Sequence, residues 1–291
     1  MIVMAEHAGF CFGVKRAVDA ISEALKTSPE VWTIGLPIHN PQEVSRLEAM
    51  GLRVAGNDTE IPSGAKVLIR AHGEPLDVVN RLKQRDVEVV DMTCPFVRKA
   101  QEMAREFSRL GYHVVLLGDK NHPEIKGILG HVADSGNAEV IADEKEASNV
   151  RFYARIALIS QTTQRAERLE RVAGILTHKA SELHVCNTIC KATAQRQEAV
   201  RELVRKNNLD GVVLIGGKSS ANTGKLRDIL ESEGVNVLWV EDEKETEENS
   251  PWFTGKNMIG IAAGASTPEW LIDKIKKIIA VKQELQGVEF H

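Results

Sequence analysis

Three cysteines occupy matching positions in a repeated pattern. Cys11, Cys94 and Cys190 each follow an apolar run and precede a segment with the periodicity of an amphipathic helix. The N–H groups and the dipole at the start of a helix stabilise a thiolate in such a position. Because thiolates select zinc or iron–sulfur clusters, the pattern predicts one metal cluster that collects three protein thiolates.

The spacing of the cysteines favours iron over zinc. Structural zinc sites usually show paired spacings such as C-x₂-C, and the chain has no C-x₂-C pair. Three thiolates on a 4Fe-4S cluster leave one iron with an open position, where it can act as a Lewis acid and deliver electrons. An enzyme is therefore favoured over a simple electron carrier. Single cysteines are more often buried core residues, but three in equivalent positions of a repeat favour the ligand interpretation.

The fourth cysteine, Cys186, has a different interpretation. When the segment before Cys190 is aligned with the segment before Cys94, Cys186 falls on the apolar strand position of Val90. A cysteine at such a position commonly packs as a small hydrophobic residue. Cys186 is therefore predicted to be structural.

The repeat extends to strands that end in polar residues. In each copy a second strand ends in glycine and is followed, four residues later, by a polar side chain: His39, His122 or Ser220. A third strand per copy ends near His72, Thr162 or Ser266. Strands that alternate with helices form parallel sheets, whose ligands gather at the carboxyl ends of the strands. The chain is predicted to be α/β, with three pseudo-repeated domains and small, mainly parallel sheets. The predicted domains are residues 1–93, residues 94–189 and residues 190–291, the last including a C-terminal tail.

Composition limits the function classes. The chain has 291 residues, 43% hydrophobic and 27% charged, and a formal net charge of −4. These values are typical of a globular chain that folds without disulfides, and they give no electrostatic support to a nucleic-acid role. No apolar run suits a membrane span or a secretory signal. A cytoplasmic location with reduced or metal-bound thiols is expected.

The polar residues at the strand ends predict an anion pocket. Hydrogen-bond donors there, together with the backbone of the glycine-rich 216–222 loop, suit an anion such as phosphate; the side chains are His39, His72, His122, Thr162, Ser219, Ser220, Asn222 and Ser266. A single histidine in a loop is more often a solvated residue, and Gly-Gly is often only a turn, so the prediction depends on their convergence.

A carboxylate with nearby hydroxyl groups predicts proton transfer. Glu124 is a candidate proton donor, and Thr162 and Thr163 offer hydroxyl groups that could relay the proton. The alternative for Glu124 is a structural carboxylate at a helix start just after Pro123, where the helix dipole stabilises it.

Eight segments along the chain together resemble one enzyme family. They are residues 9–14 (GFCFGV), 37–41 (PIHNP), 70–73 (RAHG), 91–95 (DMTCP), 122–124 (HPE), 160–163 (SQTT), 187–190 (NTIC) and 263–266 (AGAS). These segments are similar to those of the 4-hydroxy-3-methylbut-2-enyl diphosphate reductases, the last enzymes of the non-mevalonate isoprenoid pathway. The resemblance covers essentially the whole chain. It implies an oxidoreductase with three α/β domains in a trefoil around a 4Fe-4S cluster, and a two-electron reductive dehydration that yields isopentenyl and dimethylallyl diphosphates.

The resemblance also implies roles for individual residues. The cluster ligands would be Cys11, Cys94 and Cys190, and the diphosphate would be held by His39, His72, His122, Ser220, Asn222 and Ser266. Glu124, with Thr162 or Thr163, would supply the proton, and His122 is the next candidate for that role. Ala221 stands where the family often has serine or glycine, which removes a side-chain contact but keeps the backbone of the loop.

The expected partners follow from the same resemblance. The resemblance implies ferredoxin or flavodoxin as the electron donor. Separately, Gly216-Gly217-Lys218 lacks the G-x-G-x-x-G pattern of a nicotinamide or flavin site. The chain is expected to act as a monomer, without nucleic acid or membrane partners. Three other functions stay open: a hydro-lyase that uses the cluster only as a Lewis acid, a cluster-based sensor, and an α/β binding protein with incidental cysteines.

Overall fold

The computed structural model describes residues 1–288, and their strands form three four-stranded sheets. The first sheet has the spatial order β3 (Leu52–Ala55), β2 (Val31–Ile34), β4 (Lys66–Ile69) and β5 (Glu88–Asp91). The second has the order β7 (Ala138–Ile141), β6 (His113–Leu117), β8 (Tyr153–Ser160) and β9 (Ala180–Cys186). The third has the order β11 (Val237–Val240), β10 (Gly211–Ile215), β12 (Ile259–Ala263) and β1 (Ile2–Met4).

Every strand pairing within these sheets is parallel. The α/β prediction is therefore confirmed. Helices connect the strands because parallel neighbours need a crossover. They are α1 (Phe12–Thr27), α2 (Pro41–Ala49), α3 (Leu76–Lys83), α4 (Pro95–Arg109), α5 (Pro123–Leu129), α6 (Glu144–Asn149), α7 (Ala166–Leu176), α8 (Lys191–Lys206), α9 (Ala221–Ser232), α10 (Glu243–Glu248) and α11 (Glu269–Val288). Short 3-10 helices lie at Asp58–Glu60, Ser135–Asn137 and Ser250–Phe253. None of the helices within residues 1–288 is long and apolar enough to cross a membrane.

The described chain divides into two compact units. The two-sheet unit contains residues 16–37 and 47–190, with the first and second sheets. The one-sheet unit contains residues 1–15, 38–46 and 191 onward, with the third sheet. The division into domains 1–93, 94–189 and 190–291 stays a prediction, and residues 289–291 of its last domain lie outside the described residues. Strand β1 pairs with β12 and so belongs to the C-terminal sheet, although it precedes the first cysteine.

Apolar clusters cover both faces of each sheet. In the first sheet, Val31, Leu52 and Leu68 pack on one face, whereas Val67 and Ala55 pack on the other. The second and third sheets likewise have one cluster on each face. Parallel sheets are usually buried in this way because the crossover helices lie on their faces. Burial of the faces leaves the strand ends as the places where polar side chains can do chemistry.

The three sheets share a turn after their central strands. The N–H groups of Gly35, Gly118 and Gly216 follow β2, β6 and β10, and they donate at 2.8–3.0 Å to the last residue of the neighbouring outer strand. Each outer strand is then followed by the same helix-capping arrangement, in which a glutamate side chain accepts a backbone N–H four residues earlier. The pairs are Gly56 with Glu60, Ala142 with Glu146 and Glu241 with Glu245. These contacts show that the sequence repeat corresponds to a repeat in the structure.

Candidate functional site

The three predicted cysteine ligands make the same backbone hydrogen bond. Each cysteine N–H donates at 3.0 Å to the carbonyl of the second residue after the third strand of its sheet. The pairs are Cys11 with Ala265, Cys94 with Ala71, and Cys190 with Thr162. Each thiol is therefore fixed beside the carboxyl end of a parallel strand, as the repeat predicts.

The surroundings of these cysteines suit thiolate ligands. Cys94 is the N-cap of α4, and Cys11 and Cys190 immediately precede α1 and α8. The N–H of Val14 lies 3.5 Å from the sulfur of Cys11. The first turns of these three helices contain no acidic residue that would repel a thiolate. All three thiols are partly exposed and form no disulfide, so the donor set fits an iron–sulfur cluster.

Cys186 differs from the other three. It is the last residue of β9 and is only 6% exposed. Burial raises the pKa of its thiol to about 11, so the thiolate that a metal requires is strongly disfavoured there. The predicted strand position of Cys186 is therefore confirmed.

Glu124 lies at the start of α5 and is 2% exposed. Its carboxylate accepts two hydrogen bonds from Thr162, one from the backbone N–H at 2.6 Å and one from Oγ1 at 2.8 Å. Burial raises the pKa of Glu124 to about 6, although the bonds from Thr162 oppose the shift. The carboxyl group can therefore carry a proton near neutral pH, and the geometry favours Thr162 over Thr163 as its partner.

His122 caps the helix that carries Glu124. Its Nδ1 accepts the backbone N–H of Glu124 at 3.1 Å. Because Nδ1 is an acceptor, the proton of the neutral ring lies on Nε2, which is then a donor. The ring of His72 meets that of His122 edge to face, with a centroid separation of 5.5 Å. The two-sheet unit therefore brings together two of the predicted histidines and the candidate acid.

The loop that carries His72 is held by a buried ion pair that sequence analysis missed. Arg70 Nε lies 2.8 Å from Glu74 Oε1, and both side chains are largely buried. Between them, Gly73 has a φ of +71° and donates its N–H to the carbonyl of Arg70 at 3.0 Å. A Cβ atom on Gly73 would lie 2.3 Å from Nε2 of Gln101, so a glycine is required at this turn. The spacing of Arg70 and Glu74 on the two sides of His72-Gly73 is the signal that could have revealed the pair.

The one-sheet unit gathers the remaining polar residues. Ser220 caps α9 and accepts the N–H of Thr223 at 3.3 Å. Asn222 is 5% exposed, and neither its amide oxygen nor its amide nitrogen has a hydrogen-bond partner in residues 1–288. Buried polar atoms are rarely left unsatisfied, and such atoms suggest a ligand or ordered water. The exposed side chain of Ser219 lies outside this buried group.

His39 and Ser266 join the 216–222 loop in the same unit. Ser266 Oγ donates to the carbonyl of His39 at 3.0 Å. A Cβ atom on Gly217 would lie only 2.4 Å from that carbonyl oxygen, so the two backbones touch. Three predicted anion-binding segments therefore meet at the carboxyl ends of β10 and β12.

Comparisons with known proteins all indicate one family. The model of the LytB protein family matches residues 2–280. The 4-hydroxy-3-methylbut-2-enyl diphosphate reductase of Campylobacter lari is 42% identical over 275 residues, which are 94% of this chain and 95% of that protein. The Aquifex aeolicus protein of the same name is 41% identical over 280 residues, which are 96% of this chain and 95% of that protein.

Two solved structures share the fold. A structure of (E)-4-hydroxy-3-methyl-but-2-enyl diphosphate reductase, described as the terminal enzyme of the non-mevalonate pathway, is 41% identical. It superposes with a TM-score of 0.70 and covers 96% of this chain and 99% of its own. The Plasmodium falciparum E-1-hydroxy-2-methyl-but-2-enyl-4-diphosphate reductase superposes with a TM-score of 0.88 at 23% identity and covers 97% of this chain and 87% of its own. The second similarity concerns the fold alone.

Proposed function

Because the chain belongs to the LytB protein family, we propose that it reduces (E)-4-hydroxy-3-methylbut-2-enyl diphosphate to isopentenyl and dimethylallyl diphosphates. The reaction breaks the bond between carbon and the terminal hydroxyl oxygen. It consumes two electrons and two protons, and it releases water. One proton therefore goes to the departing oxygen and the other to one of two carbons of the allyl fragment.

The observation that carries the proposal is the position of Thr162. Its N–H and hydroxyl groups bind the carboxylate of Glu124, whereas its carbonyl accepts the N–H of Cys190. One residue thus connects the candidate proton donor to a candidate cluster ligand. A structural helix-cap role for Glu124 does not require this connection, because the first turn of α5 is already capped by His122.

We assign Cys11, Cys94 and Cys190 as ligands of one 4Fe-4S cluster. The support is the shared hydrogen bond of their backbones and the thiolate-compatible helix starts. When bound, the cluster would supply the electrons and offer one iron for the hydroxyl oxygen of the substrate. Ferredoxin or flavodoxin is proposed as the electron donor, and a monomer in a reducing, cytoplasmic environment as the working form.

The polar residues are proposed to bind the diphosphate. His39, His72, Ser220 and Asn222 supply side-chain donors, and the Nε2 of His122 supplies another. Ser266 would donate when its hydroxyl proton turns from the carbonyl of His39 to the ligand. Hydrogen bonds to a charged group are stronger than those between neutral groups. The orphaned amide of Asn222 supports this assignment because a diphosphate oxygen would satisfy its donor nitrogen.

Glu124 is proposed to protonate the departing oxygen. Its raised pKa keeps a proton available in a buried site, and Thr162 orients the carboxyl group. Thr163 lies next in the chain and is the alternative relay. General acid catalysis of this kind contributes about 10²–10⁴-fold to a rate.

The test uses protein purified without oxygen. The expected result is bound iron and sulfide, and reductant-dependent conversion of the substrate to the two products. Glu124→Gln should keep the iron but lose at least about a hundredfold in turnover, whereas Glu102→Gln, on the exposed face of α4, should keep both. Turnover without reductant would indicate a hydro-lyase, and iron without turnover would indicate a sensor. Near-normal turnover in Glu124→Gln would assign the proton to another group, with His122 the next candidate.

A further inference from the structure

The last two residues of strand β11 form hydrogen bonds with the first residue of the 216–222 loop. We propose that Trp239 is a positioning residue that pre-forms this loop for the diphosphate. The inference rests on the proposed function of the loop, and it goes further by naming what sets the loop's geometry. Trp239 and the loop both lie within the one-sheet unit.

Trp239 fixes the first peptide group of the loop. Its indole Nε1 donates to the carbonyl oxygen of Gly216 at 2.6 Å. The N–H of Gly216 donates in turn to the carbonyl of Val240 at 3.0 Å. The donor and the acceptor of one residue are therefore both bound to the end of β11, and Gly216 can rotate little.

Gly216 is closely surrounded by two threonine side chains. Its φ is +150°, and a Cβ atom there would lie 2.8 Å from Oγ1 of Thr223 and 2.9 Å from Oγ1 of Thr267. Glycine permits this close approach but supplies no side chain to hold it. The restraint on the loop must therefore come from a neighbour, and the indole N–H provides it.

The ring of Trp239 also contacts two cationic side chains. Lys218 Nζ lies 5.0 Å from the ring centroid of Trp239, and Arg227 Cζ on α9 lies 5.2 Å from it. Cations at such distances are attracted to the face of an indole ring. The ring therefore links the loop to α9, the helix that contains Asn222.

The hydrogen bonds of Trp239 and Val240 to Gly216 form a clamp on the loop. Lys218 binds this clamp and is not directed to a phosphate. Its ammonium group donates to the carbonyl of Trp239 at 2.5 Å and lies 3.3 Å from a carboxylate oxygen of Glu245. Its backbone N–H donates to Glu241 at 2.5 Å. The lysine of a Gly-Gly-Lys-Ser loop would ordinarily be the first candidate for a phosphate ligand. Here its contacts assign it to holding the loop.

A pre-formed loop loses less conformational entropy when it binds its anion. Removal of the clamp should therefore weaken diphosphate binding equally in the ground state and the transition state. Such a change raises KM and leaves kcat unaltered. A residue that served only overall stability would lower the melting temperature and not separate these two constants.

The test compares Trp239→Phe and Trp239→Leu with Trp252→Phe in the cluster-bearing enzyme. Trp252 is a matched control because its indole N–H also makes one hydrogen bond, to Asn236 at 2.9 Å, outside the loop. We expect Trp239→Leu to raise KM for the diphosphate substrate about three- to tenfold with kcat within about twofold. Trp239→Phe keeps a ring for the cations and should show a smaller rise. Trp252→Phe should match the unaltered enzyme.

Inorganic pyrophosphate gives a second readout that needs no turnover. In each Trp239 variant, the dissociation constant of pyrophosphate should rise by the same factor as the KM of that variant. The tryptophan fluorescence change on pyrophosphate binding should be lost in Trp239→Phe and kept in Trp252→Phe. Unchanged pyrophosphate affinity in both Trp239 variants, or a fall of kcat equal to the rise of KM, would overturn the proposal. If the unaltered enzyme binds pyrophosphate but does not reduce the allylic diphosphate, the proposed function fails while the clamp is still tested.

Discussion

We expect the Glu124→Gln variant to become more stable than the unaltered protein as the pH rises. Glutamine copies the neutral carboxylic acid: its carbonyl can accept the N–H of Thr162, and its amide can donate to the hydroxyl group. It cannot ionise. The variant should therefore behave like the unaltered protein at low pH and differ from it at high pH.

The magnitude follows from the shifted pKa. Burial raises the pKa of Glu124 from 4.5 to about 6. A carboxyl group with a raised pKa in the folded state contributes stability below pH 4.5, and that contribution is lost as the pH rises through about 6. At about 1.4 kcal/mol per pH unit, the full loss is about 2 kcal/mol. Glu124→Gln should therefore gain about 1–2 kcal/mol relative to the unaltered protein between pH 5 and pH 8.

Urea unfolding at the two pH values measures this difference. Equal slopes against urea concentration would show that the variants expose the same surface on unfolding. Glu102→Gln removes the same formal charge from a solvent-exposed position and so serves as the control for net charge. An advantage of Glu124→Gln that stays constant or shrinks from pH 5 to pH 8 would refute the reasoning. Glu124 would then be ionised in the folded protein, and its role as a proton donor would fail with it.

Three further predictions concern the same sites. Thr162→Val removes a hydrogen bond that lowers the pKa of Glu124, so the alkaline limb of the kcat/KM profile should move to higher pH; a move to lower pH would contradict the assignment. Cys190→Ser should lose most of the iron, whereas Cys186→Val, at a buried strand position, should keep it; the reverse result in iron analysis would show that the register is wrong. Asn222→Ala should weaken binding of the diphosphate substrate by about tenfold, because it removes a hydrogen bond to a charged group, but should leave binding of the corresponding diol unchanged. Equal losses of affinity for both compounds would show that this amide does not bind phosphate.

Much of the fold could be predicted because its signals are local. Apolar runs that end in Gly35, Gly118 and Gly216 mark the central strands, and the structure places all three after such strands. The alignment of the segments before Cys94 and Cys190 predicted a strand position for Cys186, and Cys186 is the last residue of β9. Capping residues are another local signal: Asp143 with Glu146 and Asp242 with Glu245 repeat at the same spacing.

Other features depend on pairing between distant segments. Strand β1 is short and partly exposed, and nothing in its own residues selects β12 as its neighbour. That choice follows from which edge of a sheet is available once the buried strands have paired. The predicted first domain, residues 1–93, therefore includes β1, whereas in the structure β1 pairs with β12 in the C-terminal sheet.

The sequence by itself determined the three cysteines, the strand ends and the presence of Glu124, because residue type and spacing are sufficient for these. Only the tertiary structure decided which groups touch. It placed Thr162 between Glu124 and Cys190, and it brought the indole of Trp239 to the carbonyl of Gly216. Such contacts depend on the packing of whole elements and on burial, which raises the pKa of Glu124 only after the surrounding chain has excluded water.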